Sequence, residues 1–484
     1  MIPGINFPFK LNLFFKMVTI ILCTTGISLF SFSDVRAQEF EINEIAEGVF
    51  IVSGPELARQ AVVRSQKGLV VFDTFWSETT ARTVKNNLSE VLNRDDFSYV
   101  ILTADRLDML GGSAAYSEAT IIGHENITKR YQDKDMEVEA ELGDLIEMWR
   151  WKENAARERL ADYEEGSEEA KNEAAWMNAC KERADELASG FSLLLPAISY
   201  NDRMLVDLGD ITLHLIWFGK EGNRTGLTVA VLPEKKVAVM PSFVLNTLHL
   251  APNPFWDFKV MDVPRWISVL EEILEDEDAV EQVVCHDIAA VLSRERAHGH
   301  LVYIRKLWNS VKAAEAAGKD LPEIQETLSF DNEFAFVKEM DVYKETGDDW
   351  LKPQHRDHVR LFFLQLKDQL ASQILKEGGP EELQASLARI EELRKSGSDI
   401  YFDEGSINQL GYDWMNRGKI PEAIEVFKLN VAVFPQSFNV YDSLGEGYMK
   451  QGDKQNAINN YRKSLEINPA NENAAAMLKQ LGEE

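Results

Sequence analysis

An α/β sandwich followed by an all-α array of helical hairpins is the architecture this sequence predicts, and three observations carry the prediction. Two continuous apolar runs, Leu69-Val70-Val71-Phe72 and Tyr99-Val100-Ile101-Leu102, flank an amphipathic stretch. That is the pattern of strands covered on both faces with a helix between them. From about 129 to 190 the composition shifts to Glu, Lys, Arg and Ala before short β-branched runs return. Towards the C-terminus the chain repeats itself with a fixed period of 34 residues.

At 484 residues the chain exceeds one ordinary core, so two or three domains are expected. With 45% hydrophobic and 27% charged residues it is globular. Its formal charge of −29 argues against nucleic acid or anionic lipid as partners, since both repel it. Residues 1–37 have the layout of a signal peptide: Lys10 and Lys16, an apolar stretch over 17–32, then Val35-Arg36-Ala37 as a small-x-small cleavage site. Cleavage there leaves Gln38 at the mature end, with no membrane span after removal and an exported, periplasmic or secreted protein. Cys180 and Cys285 then remain, which is no disulfide framework, and no C-x-x-C pair signals a structural zinc.

Taken in order, Gly48–Val52 and Gln60–Val63 read as short strands, and the run at 69–72 ends in Asp73-Thr74. Ser77 can then cap a helix carrying Ala81, Val84, Leu88 and Val91/Leu92. The strand at 99–102 leads into residues 103–112, Thr-Ala-Asp-Arg-Leu-Asp-Met-Leu-Gly-Gly, and Thr120-Ile121-Ile122 is the next strand. In the shifted region Leu142, Leu145, Ile146 and Trp149 form one apolar stripe, so a helical hairpin is inserted there, as a lid or as packed decoration. Hairpins of strands over 204–217 and 227–240, a helix near 263–274 and a strand at 282–285 complete the sandwich. Residues 290 to about 377 read as largely helical, with breaks at Gly318, Gly347 and Pro353.

In the last part Gly411, Ala423 and Pro435 recur as Gly445, Ala457 and Pro469, each 34 residues on. Ile407, Leu410, Trp414 and Phe427 have counterparts at Tyr441, Leu444, Tyr448 and Tyr461. This resembles the tetratricopeptide repeat, over 407–440 and 441–474, with 471–481 as a closing helix. Two repeats fall short of the usual three, so the module is expected to lean on the helical segment before it. Such arrays present a concave surface to a protein or peptide partner.

The loop at 103–112 resembles the first metal-binding loop of the metallo-β-lactamase superfamily, T-H-x-H-x-D-H-x-G-G. Further resemblances follow in order after predicted strands: Val71-Phe72-Asp73-Thr74; Gly222-Asn223-Arg224-Thr225-Gly226 for a G-H-T-x-G-like loop; Val239-Met240-Pro241-Ser242 for a strand ending in Gly-Asp; and Val284-Cys285-His286-Asp287 for the final P-G-H-G loop. The implied fold is an αββα metallo-β-lactamase-type sandwich over 38–315, followed by a helical extension over 316–395 and the tetratricopeptide-like array over 396–484.

The resemblance implies zinc held by imidazoles and carboxylates, which lowers the pKa of a bound water. Here the ligand positions are lost at Ala104, Arg106, Met109, Asn223 and Ser242, and only Asp108 and His286 keep the expected residue. Ala104 offers no donor, and a guanidinium repels a metal. No cofactor is therefore expected. Arg106 can pair with Asp108 where a metal would have neutralised it. Asp105, Arg106, Asp108, Asn223, Arg224 and His286 are the pocket candidates, either around a small anion or in a filled, vestigial pocket. Two functions follow. One is a non-catalytic binding or scaffolding protein; the other is a hydrolase with a rearranged site using Asp108, His286 and Asp105.

The remaining histidines carry less. His298-Gly299-His300 and His355-x-x-His358 lack a third ligand nearby, and His124 beside Glu125 reads as structural. No G-x-S-x-G elbow, Walker loop or G-x-G-x-x-G turn is present.

Overall fold

The structure is a computed structural model and describes residues 40–53, 59–132, 135–164, 166–189, 192–221, 224–240, 261–276, 278–285, 291–367, 370–396 and 400–482. The chain divides into two compact units between Phe363 and Leu364. The segment expected to be a signal peptide lies outside the described residues, as do Asn223, Ser242 and His286. Among the described residues no helix is long and apolar enough to cross a membrane.

The first unit is built on two sheets. One holds seven strands in chain order: β1 (Glu41–Ala46), β2 (Val49–Ser53), β3 (Arg59–Ser65), β4 (Gly68–Phe72), β5 (Phe97–Leu102), β6 (Thr120–His124) and β7 (Ile198–Tyr200). Its first four strands pair antiparallel, and β4 to β7 run parallel. The second sheet contains β8 (Arg203–Asp207), β9 (Thr212–Glu221), β10 (Arg224–Leu232), β11 (Val237–Met240), β12 (Gln282–Cys285) and β13 (Val291–Ser293), with β11 and β12 as its parallel pair.

Alternation along the strands explains why β4 is apolar throughout. Val70 and Phe72 join Ile101, Ile122, Leu215, Ala230 and Val239 in the core between the sheets. Leu69 and Val71 face the other way, into a second core with Val100 and Leu102 beneath α1 (Glu78–Leu92). Ser77 caps α1 by accepting from the Thr80 N–H. Thr80, Ala81, Val84 and Leu88 face inward; of the expected pair Val91/Leu92, Leu92 packs partly against the core, while Val91, in the last turn of the helix, is 62% exposed. On the far side of the second sheet α6 (Val263–Leu274) buries Trp266 in a stack on Phe218 of β9. The layers are helix, sheet, sheet, helix, as the sequence predicts.

Between β5 and β7 run the short helix α2 (Leu107–Leu110), α3 (Glu125–Tyr131) and a hairpin of α4 (Asp135–Leu160) and α5 (Glu168–Ala188). This hairpin is the predicted insert. Its Trp149, Cys180, Ala184 and Leu187 belong to the outer core, so it is a packed layer of the sandwich. Cys180 and Cys285 are both buried and free, and burial pushes their thiols up, to about 11 and about 12.

After β13 come α7 (Arg294–Ala316), α8 (Leu321–Thr327), α9 (Asp341–Thr346) and α10 (Asp348–Gln365). Gly318 and Gly347 follow helix ends with φ of 79° and 77°, where a glycine stops a helix most easily. Pro353 does not break the chain. It lies inside α10, where losing one amide near the amino end leaves the rest of the helix bonded.

The second unit is helical: α11 (Ala371–Gly378), α12 (Leu383–Ser396), α13 (Glu404–Asn416), α14 (Ile420–Val433), α15 (Phe438–Gln451), α16 (Lys454–Ile467) and α17 (Glu472–Gln480). Ile374, Leu375, Leu383 and Ile390 share a core with Ile407, Trp414 and Phe427, so the α11–α12 hairpin supplies the support that two repeats lack. The repeated glycine has a packing reason. A Cβ on Gly411 would lie 2.3 Å from Phe427 Cε1, and one on Gly445 would lie 3.0 Å from the Tyr461 ring.

Candidate functional site

Functional positions on such a sheet collect beyond the C-terminal ends of its parallel strands, and here the loops after β4, β5 and β6 converge. Asp73 follows β4 with φ of 57° and is fully buried. Its carboxylate accepts from the Thr103 N–H at 2.7 Å and from the Thr103 hydroxyl, and its carbonyl accepts from Gln60. The Thr74 N–H donates to the Met109 carbonyl at 2.7 Å. The two loops therefore approach backbone to backbone. A Cβ on Gly112 would lie 2.0 Å from the Thr74 carbonyl oxygen, and one on Gly111 would lie 2.1 Å from that of Trp76. Asp73-Thr74 and Gly111-Gly112 form one clamp, and it needs these residue types.

Within this clamp the side chains differ from a metal site. Ala104 and Met109 are 1% and 2% exposed, and both pack inward. Arg106 forks onto Asp108: its Nε donates to Oδ1 at 2.8 Å, and its Nη2 donates to Oδ2. The two side chains are 15% and 30% exposed, so the pair is only partly hydrated.

Asp105 points the other way. It is fully buried and accepts from the Thr225 N–H at 3.0 Å and the Gly226 N–H at 3.1 Å. Arg130 stands 3.4 Å from the same carboxylate and also donates to the Asp105 carbonyl. Asp105 thus fastens the β5 loop to the start of β10, and its oxygens are engaged by donors rather than open to a substrate.

Arg130, Tyr131 and Glu141 were not legible as site residues. Glu141 from α4 accepts from Arg130 and Tyr131 at 3.0 Å each, and from the Leu107 N–H at 3.0 Å. Burial pushes the Glu141 carboxyl up against the pull of Arg130. Burial also raises the Tyr131 hydroxyl. Burial opposes the Arg130 cation, but Tyr131, Glu141 and Asp105 outweigh it and hold that group above its usual value. The inserted hairpin is therefore tied to the loop through Glu141. The one sequence signal for this was the basic last turn of α3, Lys129-Arg130.

His124, at the end of β6, is structural as expected. Its Nε2–H donates to the Asn201 carbonyl at 2.8 Å and its Nδ1 accepts from the Asn126 N–H, so it is the neutral cap of α3. It stacks on Trp217, and burial lowers its pKa. His355 and His358 share the buried Tyr303 hydroxyl, at 2.8 and 3.0 Å. The His355 Nε2–H donates to the Leu328 carbonyl, so its Nδ1 accepts from Tyr303. These rings serve the helical core.

Of the remaining candidates, Arg224 opens β10 across from Glu221, and only its backbone is described. Asn223, Ser242 and His286 fall outside the described residues. Among the described residues no group of three or more His, Cys, Asp or Glu could hold a metal ion. The first-loop residues do not fit zinc: Ala104 lacks a donor, Met109 is buried, and a cation already holds both Asp108 oxygens.

The tetratricopeptide repeat profile matches residues 438–471. Among curated proteins nothing matches the chain. Similar solved structures include a stereoselective inverting sec-alkylsulfatase from Pseudomonas sp., at 13% identity and TM-score 0.47, covering 90% of this chain. This chain spans 66% of that enzyme's length. A metallo-β-lactamase from Pontibacter korlensis is similar at 13% identity and TM-score 0.37, over 55% of this chain and 99% of its own. One from Hirschia baltica is similar at 11% identity and TM-score 0.35, over 55% and 97%. The fold assignment rests on the sheets and layers themselves.

Proposed function

We propose that this chain is an exported, non-catalytic binding or scaffolding protein on a metallo-β-lactamase-type sandwich, using its tetratricopeptide-type array to hold a protein or peptide partner. The observation that carries the reading is the fork between Arg106 and Asp108. A guanidinium supplies the positive charge that a metal would bring, and it can neither bind a water as a Lewis acid nor release a proton near neutral pH. Ala104 and Met109 on either side add no donor suited to zinc. The array supports the binding half, since stacked helix hairpins present an extended surface without needing chemistry. Export is proposed from the amino-terminal pattern, and N-terminal sequencing of the mature protein should begin at Gln38.

Elemental analysis of the purified full chain tests the reading. Zinc, iron and manganese should each fall far below one per chain. A stoichiometric metal would overturn it and make the hydrolase with a rearranged site the better account.

A further inference from the structure

The edge of the second sheet carries an apolar side chain that the sandwich leaves uncovered. There β8 pairs with β9 on one side and, among the described residues, with no strand on the other. Leu205, at the middle of β8, is 66% exposed. Met204 and Val206 turn into the core between the sheets, so Arg203, Leu205 and Asp207 share the outer face. β7, joined to β8 through residues 201–202, ends the other sheet on the same side, and its Ile198 is exposed as well. The backbone phase of the β8 edge is fixed. The Trp217 N–H donates to the Asp202 carbonyl at 2.7 Å, and the Leu208 N–H donates to the Ile211 carbonyl at 2.9 Å. Hydrogen-bonded pairs alternate along an antiparallel ladder, so the backbones of Met204 and Val206 face β9. The amides and carbonyls of Arg203, Leu205 and Asp207 therefore point to the open side. In keeping with that phase, the Asp207 carbonyl accepts from Lys67 Nζ at 2.9 Å rather than from β9.

The strand Arg203-Met204-Leu205-Val206-Asp207 is complementary to itself when paired antiparallel. Centred on Leu205, Arg203 stands opposite Asp207 of a second copy, Met204 opposite Val206, and Leu205 opposite its own equivalent. The outward backbone groups of Leu205 then meet those of its equivalent, and those of Arg203 meet those of Asp207. A slip of two residues either way would set Arg203 against Gly209 or Leu205, so charge selects the centred register. Within the chain Arg203 forks onto Glu272 of α6 at 2.6 Å through both Nη atoms. Asp207 accepts from Lys67 and from the Gly209 N–H, each at 2.8 Å. A guanidinium has more N–H groups, and a carboxylate more lone pairs, than these exposed contacts use, so each can also reach across the edge.

We propose that β8 pairs with β8 of a second copy of this chain about a two-fold axis at Leu205, joining two six-stranded sheets into one. Such a dimer requires nothing of the helical array or of the Arg106–Asp108 pair.

Sedimentation velocity of the full chain over a concentration series tests it, at about 0.15 M salt so that the net charge of −29 is screened between copies. The chain should pass from monomer to dimer as its concentration rises to hundreds of micromolar. Leu205→Lys sets two ammonium groups against each other on the axis. Arg203→Asp and Asp207→Arg each set like charges face to face across it. All three should weaken the dimer at least roughly tenfold. The three side chains are exposed on an edge strand, so circular dichroism should show each variant folded. Mixing the Arg203→Asp and Asp207→Arg chains should restore a dimer, because each edge then offers the charges that the other lacks. A wild-type chain that stays monomeric, single variants that dimerise as the wild type does, or a mixture that stays monomeric would each overturn the proposal.

Discussion

The loop clamp of the sandwich and the helical array keep the patterns read in their sequences in opposite ways. In the clamp the backbone frame follows the motif, with Asp73 on Thr103 and Gly112 under Thr74, while Ala104, Arg106 and Met109 stand where the resemblance implies ligands. In the array the pattern and the packing coincide, because the repeated glycines and aromatics are themselves the contacts. A loop motif therefore mixes residues that build the frame with residues that perform chemistry, and the two can part company. A repeat motif is nearly all frame, so its packing contacts keep it legible.

The largest effect should come from the buried carboxylate that fastens the β5 loop to β10. Asp105→Ala strips two backbone amides and Arg130 of their acceptor and should cost about 3–5 kcal/mol in urea unfolding. A loss below about 1 kcal/mol would mean the loop does not depend on Asp105.

Acid should separate the regions by sign. His355 is held down to about 4 by burial, against 6.5 unfolded, so the folded state favours the neutral ring. Its contribution is complete above pH 6.5 and is lost as pH falls towards 4, up to roughly 3 kcal/mol. His355→Gln should flatten that loss. In the array burial, and the neighbouring Asp442, raise Glu446 above its usual 4.5. Its contribution is therefore fullest below 4.5 and diminishes as pH rises. Hydrogen exchange read separately over 294–363 and 404–482 between pH 7 and 4 should show the first region loosening and the second spared this term. The same trend in both would break the contrast.

Glycine substitutions sharpen it further. Gly112→Ala meets a backbone oxygen that cannot move without breaking the clamp and should cost about 1–3 kcal/mol. Gly445→Ala meets a tyrosine ring that can tilt by a few tenths of an ångström and should cost less, about 1 kcal/mol. Thermal melts of the two variants decide the order. Asp108→Asn weakens only a partly exposed pair, so about 1 kcal/mol is expected. Because Asp108 already satisfies Arg106, millimolar phosphate or sulfate should leave the melting temperature unmoved.

Much of the fold was legible because burial on both faces writes itself as an unbroken apolar run, as in Leu69–Phe72, and because a 34-residue period has no other simple origin. Locally, Val91 and Pro353 differ from expectation. Val91 keeps the phase of Val84 but falls in the last turn of α1, where Leu92 instead packs on the core, and Pro353 sits close enough to the amino end of α10 to cost that helix a single bond. At the site, Asp73, Arg106 and Asp108 lie within motifs and could be named from sequence. Arg130, Tyr131 and Glu141 could not, because they reach Asp105 and Leu107 from 25 or more residues away through pairings with no sequence period.

The central proposal is that Arg106, forked onto Asp108, supplies the charge that the resemblance assigns to a metal. Melting of the wild-type chain with excess chelator and with excess zinc, beside the Ala104→His/Arg106→His/Met109→His variant, tests it most directly. The wild type should melt at the same temperature in both solutions, while the variant, with Asp108 released and imidazoles introduced, should melt higher in zinc. A wild-type melting temperature that drops by several degrees in chelator and recovers with zinc would contradict the account.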